Sequence, residues 1–187
     1  MSRYNLEINT LIAACIKKDK TAEKHLFVRY APYIYGVCQR YSKDDAEAED
    51  YMQEGFVKIF SNLSSFDPTK GNFQGWIARI TINTIISIKR KNKIVYIFDD
   101  HSEQVANPPD QSDDLSQADI TSEYLLKSIR KLPEKYSTIL NLHVFENLTH
   151  NEIAQILGIK NSSVRSRFTR AKKLLKNILS ETKSIAS

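Results

Sequence analysis

The segment from Leu148 to Leu175 constrains the fold more tightly than any other part of the chain. Thr149 and Glu152 stand three apart ahead of an apolar run. This is the spacing of a capping box: the Thr149 hydroxyl accepts from the Glu152 N–H, and the Glu152 carboxylate reaches back to the Thr149 N–H. Ile153, Ala154, Ile156 and Leu157 supply an apolar side, and Gly158 stands where a chain needs positive φ to leave a helix. A second helix follows, capped by Asn161 or Ser162. In it Val164, Phe168, Ala171 and Leu175 recur at helical spacing on one stripe.

The opposite face of that second helix carries Ser162, Arg165, Ser166, Thr169, Arg170 and Lys173. From Lys160 to Lys176 there are seven basic residues and no acidic one. A C-terminal preference for cations accounts for Lys172, Lys173 and Lys176, but not for Arg165 and Arg167 near the start. A face of one sign suits phosphate contact and bidentate reading of guanine edges. The unit reads as a helix-turn-helix whose second helix is shaped for a DNA major groove.

Charge is unevenly spread over the 187 residues. Residues 1–95 carry 15 basic and 10 acidic side chains, 96–120 none and 7, and 121–187 12 and 5. Two basic parts flank an acidic one, and basic domains suggest nucleic acid. Only five Gly and five Pro occur, which favours helices over a turn-rich β fold. No run of about 18 apolar residues exists, so no membrane insertion is expected; with no secretory signal pattern, the expected location is cytoplasmic. Cys15 and Cys38 lack a metal-like or redox spacing, and the four histidines form no ligand pair. No metal, cofactor or catalytic constellation is expected, so the chain does not read as an enzyme.

The stretch Asp99–Asp119, rich in Asp, Ser and Pro, buries too little to order itself and predicts a flexible linker. The expected fold is all-α: two small helical domains, 1–95 and 121–187, joined by an acidic linker at 96–120. In the first, helices are expected at about Asn5–Lys18, Thr21–Tyr41 with Pro32 kinking or interrupting it, Asp45–Leu63 and Phe73–Lys93. In the second, helices at Ser122–Lys131, with Leu125, Leu126 and Ile129 inward, and Glu134–Phe145, with Tyr136, Ile139, Leu140 and Val144 inward, precede the helix-turn-helix.

Two first-domain helices have marked faces. Opposite the stripe Met52, Phe56, Ile59 and Leu63 cluster Glu47, Asp50, Gln53 and Glu54. They read either as matching the helix dipole or as a docking face for a basic protein. The next helix is apolar on two flanks, with Phe73, Ile77, Ile80 and Ile88 on one and Ala78, Ile82 and Ile85 near the other. Between them runs a narrow stripe of Trp76, Arg79, Asn83, Ser87 and Arg90. Such a line suits base stacking and backbone gripping; equally, Trp76 can be core and the arginines solvated.

Together, the two halves resemble a known family. Asp45–Phe56 and Phe66–Ile80 look like region two of bacterial RNA polymerase sigma factors of the extracytoplasmic-function (ECF) group. Leu132-Pro133-Glu134-Lys135-Tyr136 and the helix-turn-helix with Val164-Arg165-Ser166-Arg167 look like region four. The resemblance implies a promoter-specific initiation factor, with core RNA polymerase and promoter DNA as partners. Glu47, Asp50, Gln53 and Glu54 would dock on the largest polymerase subunit. Phe66, Lys70, Asn72, Trp76, Arg79, Asn83, Lys89 and Arg90 would recognise and melt the minus-ten element. Ser162, Ser163, Arg165, Ser166, Arg167, Thr169, Arg170 and Lys173 would serve the minus-thirty-five element. The linker would thread the polymerase's RNA channel. An anti-sigma factor or another recruiting complex is the usual kind of regulator for such factors, and no homo-oligomer is expected.

The rival reading is an activator whose helix-turn-helix is its only DNA reader, with a helical sensing domain in front. A ligand pocket in the first domain would favour it; an exposed Trp76–Arg79–Asn83 stripe would oppose it.

Overall fold

The computed structural model describes residues 3–91 and 121–185, and all their regular elements are helical. The chain divides into two compact units after Ile88. The acidic segment 96–120 lies outside the described residues, as do Asn92 and Lys93.

The first unit is built from α1 (Arg3–Ile16), α2 (Lys20–Tyr41), α3 (Asp45–Asn62), a 3₁₀ turn at Leu63–Ser65, and α4 (Phe73–Lys91) as far as Ile88. α1 ends two residues short of expectation, because Lys18 takes a left-handed conformation (φ 64°). Asp19 then caps α2, its carboxylate accepting from the N–H groups of Thr21 at 2.8 Å and Ala22 at 3.2 Å. α2 continues through Pro32 to Tyr41, so the expected interruption does not occur. A proline removes one bond, to the carbonyl four residues earlier. Here that residue is the exposed Val28, at a position open to water.

Leu26, Ile34, Val37, Ile59, Ile77 and Ile85 have no exposed surface. Burying each contributes about 1.5–3 kcal/mol before entropy is counted. α3 enters this core through Ala48, Tyr51, Gly55, Phe56 and Ile59. Met52, expected in the stripe, is half-buried on its edge. α4 is buried through Phe73, Ile77, Ala78, Ile82 and Ile85 of the two expected flanks and also through Ile86, while the expected Ile80 and Ile88 are half-buried. Its buried Thr81 and Thr84 hydroxyls return to the carbonyls of Ile77 and Ile80, both at 2.8 Å, which meets the requirement that buried polar groups be paired. Cys15 and Cys38 are buried free thiols; burial pushes the Cys38 thiol up to about 12.

The second unit contains α5 (Ser122–Arg130), α6 (Glu134–Val144), α7 (His150–Leu157) and α8 (Asn161–Ile185). Ile129, Leu132, Tyr136, Leu140 and Ala171 form a core cluster, with Leu125, Phe168, Leu174, Leu175 and Ile178 packed against it. Val144, expected inward, is 52% exposed. Each four-residue step advances a stripe by about 40° around a helix, and by Val144, the last residue of α6, it has rotated off the packed side.

The capping box forms as expected. Thr149 Oγ1 accepts from the Glu152 N–H at 3.3 Å, and Glu152 Oε2 from the Thr149 N–H at 2.8 Å. Gly158 is left-handed at φ 68°. α8 already includes Asn161, so neither Asn161 nor Ser162 is its cap. The Asn161 side chain instead donates to the Asn151 carboxamide oxygen and ties α8 to α7.

Candidate functional site

Three surfaces hold the expected functional residues. On α8, Ser162, Arg165, Ser166, Thr169 and Arg170 are exposed along one face, with Ser163 and Lys173 half-buried at its margins. Val164 and Ala171 are fully buried on the other side and hold that face outward. Arg167 departs from the group. It lies on the flank next to the core, is half-buried, and has Nη1 shut from solvent without a hydrogen-bond partner. A guanidinium so placed does not share the exposed face.

The second surface combines α4 with the loop before it. Arg79, Asn83, Ser87 and Arg90 are exposed in line. Trp76 is half-buried at the head of that line. Its ring centroid lies 5.6 Å from Phe66 and 5.7 Å from Phe73. The open choice between core and exposed tryptophan is thus settled between the two: the ring rests on two phenylalanines and keeps a free part. Beside it, a surface cavity of about 420 Å³ is lined by Ser65, Phe66, Asp67, Lys70, Gly71, Asn72, Gly75, Trp76 and Arg79. Its volume falls in the range that accommodates small organic groups.

Local bonds shape that loop. Asp67 Oδ1 accepts from the Thr69 hydroxyl at 2.7 Å and the Thr69 N–H at 3.0 Å, and Lys70 lies 3.3 Å from Oδ2. The Thr69 hydroxyl, then its N–H, with Lys70 adding, hold the Asp67 carboxyl below its usual range. Gly71 turns at φ 148°, where other residues are strained. Asn72 Oδ1 accepts from the Gly75 N–H at 2.7 Å, so this expected DNA residue is at least partly a helix cap. Lys89, thirteen residues after Trp76, falls on the opposite flank of α4, off the stripe that spacing draws.

The third surface is on α3. Asp50, Gln53 and Glu54 are exposed. Glu47 is not free for docking, because its carboxylate accepts from the Lys43 N–H at 2.7 Å and the Tyr51 hydroxyl at 2.9 Å. It closes the start of α3 opposite Asp44, which accepts from the Glu47 N–H at 2.8 Å. Sequence reasoning missed the apolar groove beside this face, which is lined by Phe27, Val28, Ala31, Pro32, Tyr35, Glu49, Met52 and Gln53. Phe27 and Val28 stay exposed at 38% and 62%. The available signal was the adjacent Phe27-Val28 pair, too wide for the buried stripe Leu26, Tyr30, Ile34 and Val37.

Among the described residues, no group of three or more metal-ligating side chains occurs, and no helix is long and apolar enough to cross a membrane.

Residues 26–94 match Sigma-70 region 2, and residues 122–175 match Sigma-70 region 4. The chain is 31% identical to the ECF RNA polymerase sigma factor SigW of Bacillus subtilis over 173 residues, covering 87% of this chain and 91% of SigW. It is 28% identical to the RNA polymerase sigma-H factor of Pseudomonas aeruginosa, covering 90% and 92% of the two chains. Among solved structures, it shares its fold with the sigma factor RpoE from Bartonella quintana, crystallised with the anti-sigma factor NepR. That likeness has a TM-score of 0.50 and 23% identity, and covers 84% of this chain and 96% of RpoE. With both sigma regions matched in order, and a relative above 30% identity matched along nearly its whole length, the chain belongs to the ECF group of RNA polymerase sigma factors.

Proposed function

We propose that this ECF sigma factor divides its work in promoter-specific initiation among the three surfaces. Asp50, Gln53 and Glu54 dock on a basic surface of core RNA polymerase, and the adjacent groove of Phe27, Val28 and Met52 adds apolar contact. The loop cavity with Phe66, Lys70, Asn72 and Trp76 takes an unpaired base of the minus-ten element. Arg79, Asn83 and Arg90 hold the strand backbone. Capturing a flipped base shifts the duplex toward the open state. The α8 face (Ser162, Arg165, Ser166, Thr169 and Arg170, with Ser163 and Lys173 at the edge) serves the minus-thirty-five element. Residues 1–95 and 121–187 are the two functional domains, and the acidic segment 96–120 follows the polymerase's RNA channel. The protein acts in the cytoplasm, and an anti-sigma factor holds it, as NepR is bound to RpoE.

The observation that carries this reading is the cavity beside the half-buried Trp76. It lies at the surface in line with Arg79 and Asn83, rather than inside a sensing domain. The test is binding to purified core polymerase at moderate salt. The wild-type chain is expected to co-elute with core, and the double variant Asp50→Lys, Glu54→Lys to lose most of that binding. A double variant that binds core as tightly as wild type overturns the docking assignment.

A further inference from the structure

Inside the second unit, two histidines are stacked against each other. The rings of His143 on α6 and His150 on α7 lie 4.8 Å apart at 22°. Phe168 of α8 meets them at 4.4 Å and 5.5 Å. His143 Nδ1 lies 2.8 Å from the Leu148 carbonyl oxygen; an oxygen only accepts there, so Nδ1 carries the proton. His150 Nε2 is shut from solvent and has no hydrogen-bond partner. The three rings join α6, α7 and α8 at the base of the helix-turn-helix.

This arrangement suits a neutral imidazole at His150 and opposes a charged one. A proton on His150 would meet the His143 ring of α6 and, from α8, Arg165 and Lys172. The Lys172 ammonium is itself 5.0 Å from the Phe168 ring. On α7, His150 is the first helical residue, at the positive end of the helix. The nearest carboxylate on that helix, Glu152, is engaged by the Thr149 N–H and hydroxyl. Stacked rings also direct their nitrogen lone pairs side by side rather than toward one point, which disfavours a shared metal ion.

We propose that the His143–His150 stack is a proton-sensitive latch: protonation of His150 at mildly acidic pH loosens α7 from α6 and α8 and weakens reading of the upstream element. Burial first, then His143, Arg165 and Lys172, hold the His150 pKa below the usual histidine value. The unfolded chain binds this proton near about pH 6.5 while the folded unit resists it. The latch is therefore closed above that pH and is progressively opposed as pH falls toward the lower folded value. The sign is distinctive. Ordinary cationic side chains that gain protons near DNA strengthen binding in acid, whereas this pair weakens it.

The DNA consequence rests on the proposed role of α8; the latch itself does not. Its test is an NMR titration of the histidine rings in the full chain, with melting curves from pH 5 to 8 for wild type, His150→Phe and His150→Gln. The expected result is a His150 titration below that of a solvated histidine, and a C-terminal melting transition that falls between pH 7 and pH 5 in wild type. That fall should flatten in whichever variant folds. A His150 that titrates at or above the ordinary value, or a variant with an unchanged pH slope, overturns the latch. Holoenzyme binding to duplexes with intact or scrambled upstream elements is then compared at the same pH values. If the latch operates while discrimination between duplexes stays constant with pH, the role assigned to α8 fails, not the latch.

Discussion

The Trp76 indole stands 5.6 Å from the Phe66 ring, edge to face at 62°. The pair spans the junction between the loop and α4, so the ring that would receive a base is braced by the loop that would enclose it. Trp76→Ala is expected to spare core binding and to impair promoter opening by about 5- to 150-fold, the range of one lost base stack of roughly 1–3 kcal/mol. Permanganate reactivity of unpaired thymines in the bubble measures it. Normal opening by the variant would return Trp76 to a purely structural role.

Gly55 marks a close approach of α3 to α4. A Cβ placed there would lie 3.2 Å from both Thr81 Cγ2 and Oγ1, and Thr81 is fully buried. Gly55→Val should overpack the contact and cost about 1–3 kcal/mol. Gly55→Ala should cost less, because the gain in helix propensity of roughly 1 kcal/mol offsets crowding. Thr81→Ala should partly rescue Gly55→Val. Denaturant melts of the N-terminal transition read all three; additive effects of the two substitutions would show that the residues do not meet.

Arg165 and Arg170 are exposed on α8 while Arg167 is half-buried. Arg165→Ala or Arg170→Ala should lose about 1–3 kcal/mol of upstream binding and relax sequence preference. Arg167→Ala should leave preference intact. Holoenzyme binding to a randomised upstream library separates these outcomes, and an Arg167 variant with altered preference would contradict the division.

The Thr149–Glu152 box closes the N-terminus of α7. Thr149→Ala should lower the C-terminal transition by about 1 kcal/mol, seen by calorimetry. Thr149→Ser should retain most of that stability, and equal loss in both would point away from the cap.

The parts of the fold that depend on local periodicity were legible in the sequence. The capping box and the Gly158 turn follow from spacing alone and both form; of the expected α4 flanks, Phe73, Ile77, Ala78, Ile82 and Ile85 are buried, while Ile80 and Ile88 are half-buried. Other expectations depended on what surrounds each side chain. The interruption expected at Pro32 does not occur, because the bond it removes falls on the open side of α2. Arg167 and Lys89 fall outside the α8 face and the α4 stripe that helical spacing draws, and entered the site through the family resemblance alone; Arg167 is half-buried. Glu47 and Asn72 are both engaged by local capping, which for Glu47 is the helix-terminus alternative that the sequence left open. The histidine stack joins residues from different helices whose rings meet only after folding, so no spacing rule announced it. The apolar groove of Phe27 and Val28 was hidden for a similar reason, being the part of an amphipathic helix that exceeds the core it covers.

Run-off transcription tests the central claim most directly. Core polymerase alone, core with the wild-type chain, and core with the Trp76→Ala variant are compared on a template library drawn from the native genome. The wild-type chain is expected to yield discrete transcripts that share two upstream sequence elements, absent with core alone and diminished with the variant. Identical transcript patterns with and without the chain would contradict its assignment as the promoter-selecting subunit.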